Sequence, residues 1–347
     1  MKSRLNLTLT AAAFAALALT GCNSVVQEKV AANTLAAVKA TAVNPAALAA
    51  DPVWARAQGL SVEVNDGANF GGTGKTTGTI KAAYTADTLY MLVQYKDPTN
   101  SVRRGPFQKQ ADGTWKQLKD PADKGGDDNM FYEDKWAMIW NINNSIKGFD
   151  EQGCAATCHL GQGKPYGNKY TPGPGQLGDI WHVKGQRTVP MGFVDDQYVD
   201  DTRYDPKTAP NAGRKNEDAQ GDYTPLKLVN GKPEFMNPDG KAANAGGTYG
   251  IKRGTEVPFV DNFKAGDEVA SFFMNGLKGD RADVKVVETW NNGVRTAVVS
   301  RKLVTGSKFD VQFADLKARY GFGFAAFDNA QVRHATGDDP LYLTFGK

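Results

Sequence analysis

The sequence predicts a mainly β chain: an antiparallel β-sandwich that carries long loop insertions. Three observations lead there. Apolar residues alternate at period two over many short stretches. These stretches are joined by turn residues and are not interleaved with amphipathic helices. The chain's 38 glycines among 347 residues come with few long apolar-periodic runs from which helices could form. A hydrophobic content of 41% with 23% charged residues is enough for a packed core.

LSVEV (60–64) is the first predicted strand. GTIKAAYTADTLYMLVQYKD (78–97) reads as a hairpin turning at Ala86-Asp87, with Leu89, Met91 and Val93 on one face. KWAMIWNI (135–142) and EVASFFM (268–274) follow. DVKVVETWNNGVRTAVVSRKL (283–303) is a second hairpin, turning at Asn291-Asn292-Gly293. FDVQFA (309–314), YGFGFAAFD (320–328) and PLYLTFG (340–346) complete the series. Two irregular insertions, 98–130 and 143–267, interrupt it. The second holds most of the prolines, a cysteine pair and two of the three histidines. A loop of that length inside a compact domain calls for something to organise it from within.

The N-terminus, MKSRLNLTLTAAAFAALALTGCNS, has a basic start, a short apolar run and small residues before a cysteine. Residues 1–21 therefore read as an export signal, too short for a membrane span. Leu19-Thr20-Gly21-Cys22 looks like a bacterial lipobox, which implies cleavage before Cys22 and a diacylglyceryl thioether on its sulfur. Several acyl chains would attach the protein firmly to a membrane. The plainer reading is an ordinary signal peptide with a chance cysteine. Asn23, where an Asp would signal inner-membrane retention, favours the outer membrane. Residues 22–50, rich in Ala and Val, read as a tether, and 51–347 as one folded domain. The net charge is +3, about +1 once Lys2 and Arg4 are removed, so the concentrated basic patch of nucleic-acid binders is missing. GGTGKTTG (71–78) is no phosphate loop. Asn69 stands where the motif needs its first glycine, and the stretch runs into a strand, not a helix.

GCAATCHLGQG (153–163) concentrates the chain's scarce thiols and imidazoles. Cys154 and Cys158, followed by His159, form a C-x-x-x-C-H variant of the c-type haem signature, one residue longer than usual. Two thiols that add across the porphyrin vinyls and an adjacent imidazole on the iron would explain these residue types. A Cys154–Cys158 disulfide would close a very small loop and stabilise little. A zinc site would need further ligands, and export disfavours reduced thiolates.

TIKAAYTADTLYMLVQYKD (79–97), YEDKWAMIWNI (132–142), DIWHVKGQRTVPMGFVDDQYVDD (179–201) and AAFDNAQVRHATGDDPLYLTFG (325–346) together resemble the haem-binding domain of the ethylbenzene dehydrogenase gamma-subunit family. Its relatives include gamma subunits of dimethylsulfide- and chlorate-reducing enzymes and free-standing cytochromes with covalent haem. The resemblance spans about residues 51–346. It implies a carbohydrate-binding-module-like sandwich with one haem held by loops at one end, and electron transfer without substrate chemistry. In the gamma subunits a methionine and a lysine bind the iron of a non-covalent haem. By position those slots fall on His159 and His334 here, which implies a covalent, bis-histidine haem c.

His182 is the rival axial or haem-contacting residue, and Met191 another possible ligand; both are otherwise read as packing. Trp181 is expected against the porphyrin, with Lys184 and Arg187 on its propionates or simply solvated. DDQYVDD (195–201) with Asp205 gathers five carboxylates, read as a solvated acidic loop or docking face, with calcium as the lesser alternative. The expected protein is thus a lipid-anchored, outer-membrane monohaem cytochrome. It passes single electrons between redox partner proteins and catalyses nothing itself. A carbohydrate-binding lipoprotein and a haem sensor with one labile ligand are the alternatives.

Overall fold

The computed structural model describes residues 31–157, 169–210, 212–217, 223–337 and 339–346. Thirteen strands make one continuous sheet system: β1 (Thr34–Lys39), β2 (Leu60–Val64), β3 (Thr76–Tyr84), β4 (Thr88–Lys96), β5 (Lys135–Asn141), β6 (Gly178–Lys184), β7 (Asp195–Val199), β8 (Lys215–Asn216), β9 (Lys285–Asn291), β10 (Val294–Lys302), β11 (Tyr320–Phe327), β12 (Ala335–Thr336) and β13 (Leu341–Phe345). One half runs β8-β7-β6-β5-β11-β13-β1, with β12 beside β11. The other runs β1-β3-β4-β10-β9, with β2 beside β3. Strand β1 joins them: its first residues pair with β13 and its last with β3, both in parallel. The other pairings in this system are antiparallel.

The halves fold over one core, so the predicted sandwich is present. Ile80, Ala82, Met91, Val93, Tyr95, Ala297 and Val299 from one half meet Trp136, Met138, Trp140, Trp181, Phe322 and Phe324 from the other, all buried. Trp140 sits at the centre, with ring centroids 5.1 Å from Trp181, 5.2 Å from Phe313 and 4.9 Å from Phe322. The halves are also joined through charge. Arg295 on β10 donates to Asp97 and Glu288 (2.8 Å each) and to Asp134 (2.6 Å) just before β5. Glu288 in turn accepts from Trp136 Nε1 at 2.8 Å. Among the described residues no helix is long and apolar enough to cross a membrane.

Four expectations need correction. The stretch read as a tether to residue 50 contributes β1, whose Leu35 and Ala37 are fully buried between β13 and β3, so the folded body starts before Asp51. The 143–267 insertion is not wholly irregular, because it supplies β6, β7 and β8 to the main sheet. FDVQFA forms no strand, since side chains take its backbone groups. Val311 N–H donates to Asp179 Oδ2 at 3.0 Å, and Val311 O accepts from Arg301. EVASFFM divides between two small sheets, Glu268–Val269 and Phe272–Met274, over a satellite core of Phe107, Trp115, Ile251 and Phe273.

Candidate functional site

Side chains alternate across a strand, so β5, β6 and β11 each bury one set of residues in the sandwich and present the other on the outer face. Register aligns the outer set in rows. Gly323, Ile139 and Ile180 form the first, Ala325, Ala137 and His182 the second, and Phe327, Lys135 and Lys184 the third. Strand β12 adds Thr336 beside Ala325, and His334 precedes that strand. The centre of this floor is Gly and Ala. The depression left by such small residues is a cavity of about 510 Å³, within the range of cofactor pockets.

Its ends differ in chemistry. At the first row the short helical segments Phe149–Gln152 and Gly153–Thr157 bring buried Cys154 onto β11. This approach depends on Gly323, where an added Cβ would stand 2.6 Å from Cys154 Cβ. Cys154 Sγ lies 3.1 Å from Thr336 Oγ1, in an apolar group with Ile139, Phe149 and Ile180. Lys135, Arg187 and Arg214 line the other end. Arg187 is bonded to buried Glu133, which also accepts from the Gln186 N–H at 2.7 Å. Burial, then the nearby Arg187, lowers the Lys135 ammonium well below the lysine range. The described lining thus holds basic side chains and no acidic one, a setting that suits an anion.

His182 is buried in the middle row. Its Nδ1 is 3.3 Å from Gln197 Oε1, and a carbonyl oxygen only accepts, so Nδ1 carries the proton. Gln197 is held in turn by donating to Asn216 Oδ1 at 2.6 Å. The lone-pair nitrogen, Nε2, bonds to no described group although it is buried. Burial, then the positive charge of Arg214, Lys184 and Lys135, lowers its pKa well below the usual histidine value. The ring is thus neutral and oriented, the form in which imidazole binds metals. His334 also lines the cavity, with Nδ1 donating to Val332 O at 2.9 Å. Both imidazoles lie against Phe327, at centroid distances of 5.7 Å for His182 and 4.9 Å for His334.

The cavity thus brings together Cys154, His182, His334 and Arg187. Three other expected pocket residues are elsewhere. Trp181 alternates to the opposite face of β6 and packs in the core, with the Arg301 guanidinium 5.0 Å from its ring. Lys184 shares the face of His182 but is engaged by Asp195 and Tyr223 OH, and it does not line the cavity. Met191 ends a short turn, Val189–Met191, away from the lining. Cys22, Cys158 and His159 lie outside the described residues. Lys135, Gly323 and Phe327 were missed as site residues. The alternation in KWAMIWN could have found Lys135, because with Trp136, Met138 and Trp140 turned into the core, Lys135, Ala137 and Ile139 must face outward.

A family model described as "Ethylbenzene dehydrogenase" matches residues 51–338. No curated protein matches the chain. Two solved structures of a carbohydrate binding module family 9 from Caldicellulosiruptor kristjanssonii are similar. The complex with glucose has 9% identity and a TM-score of 0.34, with 90% of this chain and 94% of that one covered. The complex with cellotriose has 9% identity and a TM-score of 0.31, with 90% and 95% covered.

Proposed function

The chain belongs to the ethylbenzene dehydrogenase family, a redox-related family associated with an oxidoreductase complex, and from that premise we propose that it is a monohaem c-type cytochrome passing single electrons between protein partners. One observation carries the reading: a cavity with a thiol at its apolar end, basic side chains at the other end, and between them a buried imidazole whose Nε2 bonds to no described group. A haem has the same polarity, with vinyl groups on one edge and propionates on the opposite edge. Cys154, with Cys158, would take the vinyls, and Arg187, Arg214 and Lys135 the propionates. His159 would be one axial ligand. Of the two imidazoles on the floor, His182 is favoured for the other by its burial and by the Gln197 and Asn216 side chains that hold its Nδ1. When bound, the haem supplies a ferric/ferrous one-electron couple. The chain's own residues set its potential through ligand identity, burial and nearby charge. The anchor at Cys22, the outer-membrane location and the lack of substrate chemistry complete the proposal, and they rest on the sequence.

The natively exported chain is expected to stain for haem on a denaturing gel, and the Cys154→Ala/Cys158→Ala double variant to lose the stain. A stain that persists would end the covalent assignment, and an unstained wild type would end the electron-carrier reading. Axial assignment needs a second measurement. His182→Ala should turn a low-spin absorption spectrum into a high-spin one, whereas His334→Ala should leave it low-spin. The reverse pattern would transfer the role to His334.

A further inference from the structure

Behind the floor of the cavity, on the core face of β6 and of its neighbour β7, four carboxylates converge. Asp179 on β6, Asp196 on β7, Glu217 just after β8 and Asp310 from the loop after β10 each bring one oxygen within 4.8 Å of the others. Oxygens held at about 2.4 Å from a shared cation can be at most about 4.8 Å apart, so the four fit one coordination sphere. Asp283 adds a fifth carboxylate nearby, with Oδ1 buried and accepting from no described residue.

Asp196 is the most telling member. Its side chain is completely buried, and neither carboxylate oxygen accepts a hydrogen bond from any described residue. The other three divide their oxygens in a consistent way. Asp179 uses Oδ2 to accept from Arg301 and Val311 N–H (3.0 Å each) and leaves Oδ1 without a donor. Glu217 Oε2 takes the Ser307 hydroxyl at 3.3 Å and Asp310 Oδ2 the Thr305 hydroxyl, while Glu217 Oε1 and Asp310 Oδ1 accept a hydrogen bond from no described residue. In each of these three one oxygen is braced, and the other has no described hydrogen-bond donor. Among the described residues Arg301 is the cation paired with it, hydrogen-bonded to Asp179 and 3.6 Å from Asp310 Oδ1. One guanidinium cannot balance so many buried negative charges, and an uncompensated buried carboxylate is costly.

We propose that Asp179, Asp196, Glu217 and Asp310 form a calcium site inside the sandwich, back to back with the cavity across β6. An all-oxygen set of carboxylates selects a hard cation over zinc or copper. Four protein carboxylates converging at one point suit calcium, because magnesium keeps most of its waters and uses one or two carboxylates. The competing account is a set of protons shared between the acids. Burial, with the negative charge of the neighbouring carboxylates, does raise Asp196 and Glu217 far above the carboxylate range when no cation is counted. The acidic run 195–201 is therefore not a solvated loop. Asp195 is taken by Lys184 and Arg281 and Asp200 by Lys215, and Asp196 alone of the run joins the cluster.

Chelator-treated full chain titrated with calcium chloride tests this independently of the haem reading. One calcium per chain by elemental analysis is expected, with a rise of about 5 °C in the unfolding midpoint at saturating calcium. Asp196→Asn and Glu217→Gln should each fold and lose the response, since each removes an anionic ligand without changing shape. A wild-type midpoint unmoved by calcium, together with a higher midpoint for Asp196→Asn at neutral pH, would establish shared protons and overturn the site. A calcium response retained in Asp196→Asn would overturn it too, and an equal response to magnesium would overturn the choice of ion.

Discussion

Arg295→Ala is expected to destabilise the protein by about 3–5 kcal/mol, because breaking a buried ion-pair network from one side leaves charge with no compensation. The guanidinium is 6% exposed and reaches three carboxylates, those of Asp97, Asp134 and Glu288, which are themselves buried. Asp134 and Glu288 belong to opposite halves of the sandwich, so the variant should loosen the pairing of the two layers. Urea unfolding at neutral pH is the measurement, and a loss under about 1 kcal/mol would mean the network contributes only as a surface pair does. Arg295→Lys should recover only part of the loss, since one ammonium cannot reproduce a planar three-way fork. Acidity gives a signed check. Burial pushes Asp97 up to about 6 even with Arg295 beside it, above its unfolded value near 3.8. The folded state therefore holds the proton more tightly. The stability this adds is fully present below about pH 4 and is lost as pH rises through about 6. Without Arg295 the carboxylates bind protons more tightly still, so the deficit of the variant should shrink on acidification.

Trp140→Ala should cost about 3–5 kcal/mol, as for other large-to-small changes in a packed core. The indole is fully buried, and its three ring neighbours come from β6, β11 and the loop after β10. Partial collapse around the gap would have to move β6, β11 and that loop together. Trp140→Phe separates packing from polarity. The indole Nε1 is buried and donates to no described group, so removing it deletes an unsatisfied donor, and the loss should stay under about 1.5 kcal/mol. Equal losses for the two variants would contradict this account of the core.

The hairpins at 78–97 and 283–303 and strands β2, β5, β11 and β13 were legible because each is a short run rich in β-branched or aromatic residues. Pattern reading fails where a polar residue's partner comes from far along the chain. Strand β6 is buried at every position yet carries Asp179, His182 and Lys184, whose partners are Arg301, Gln197 and Asp195. Nothing local announces those pairings. FDVQFA fails in the opposite way, having the alternation of a strand while Asp179 and Arg301 hold its backbone. Strand β1 lacks aromatic residues, and short side chains such as Ala37 are what the crowded seam between the two halves accepts. Of the site, the thiol motif and the three histidines stood out by rarity. The floor did not, because an Ala–Gly depression is defined by side chains that are absent.

Strand β1 also dictates an order of assembly. It is the earliest strand among the described residues, yet it lies mid-sheet with Thr34 opposite Tyr342 on the last of them. Until the final residues have been delivered, β1 has a neighbour on one side at most, and its other row of backbone amides and carbonyls stays open. Closure of the longest loop in the molecule must then come late. A ribosome or translocon that releases this polypeptide from its N-terminus forward hands over a half-built layer, which its own tail completes.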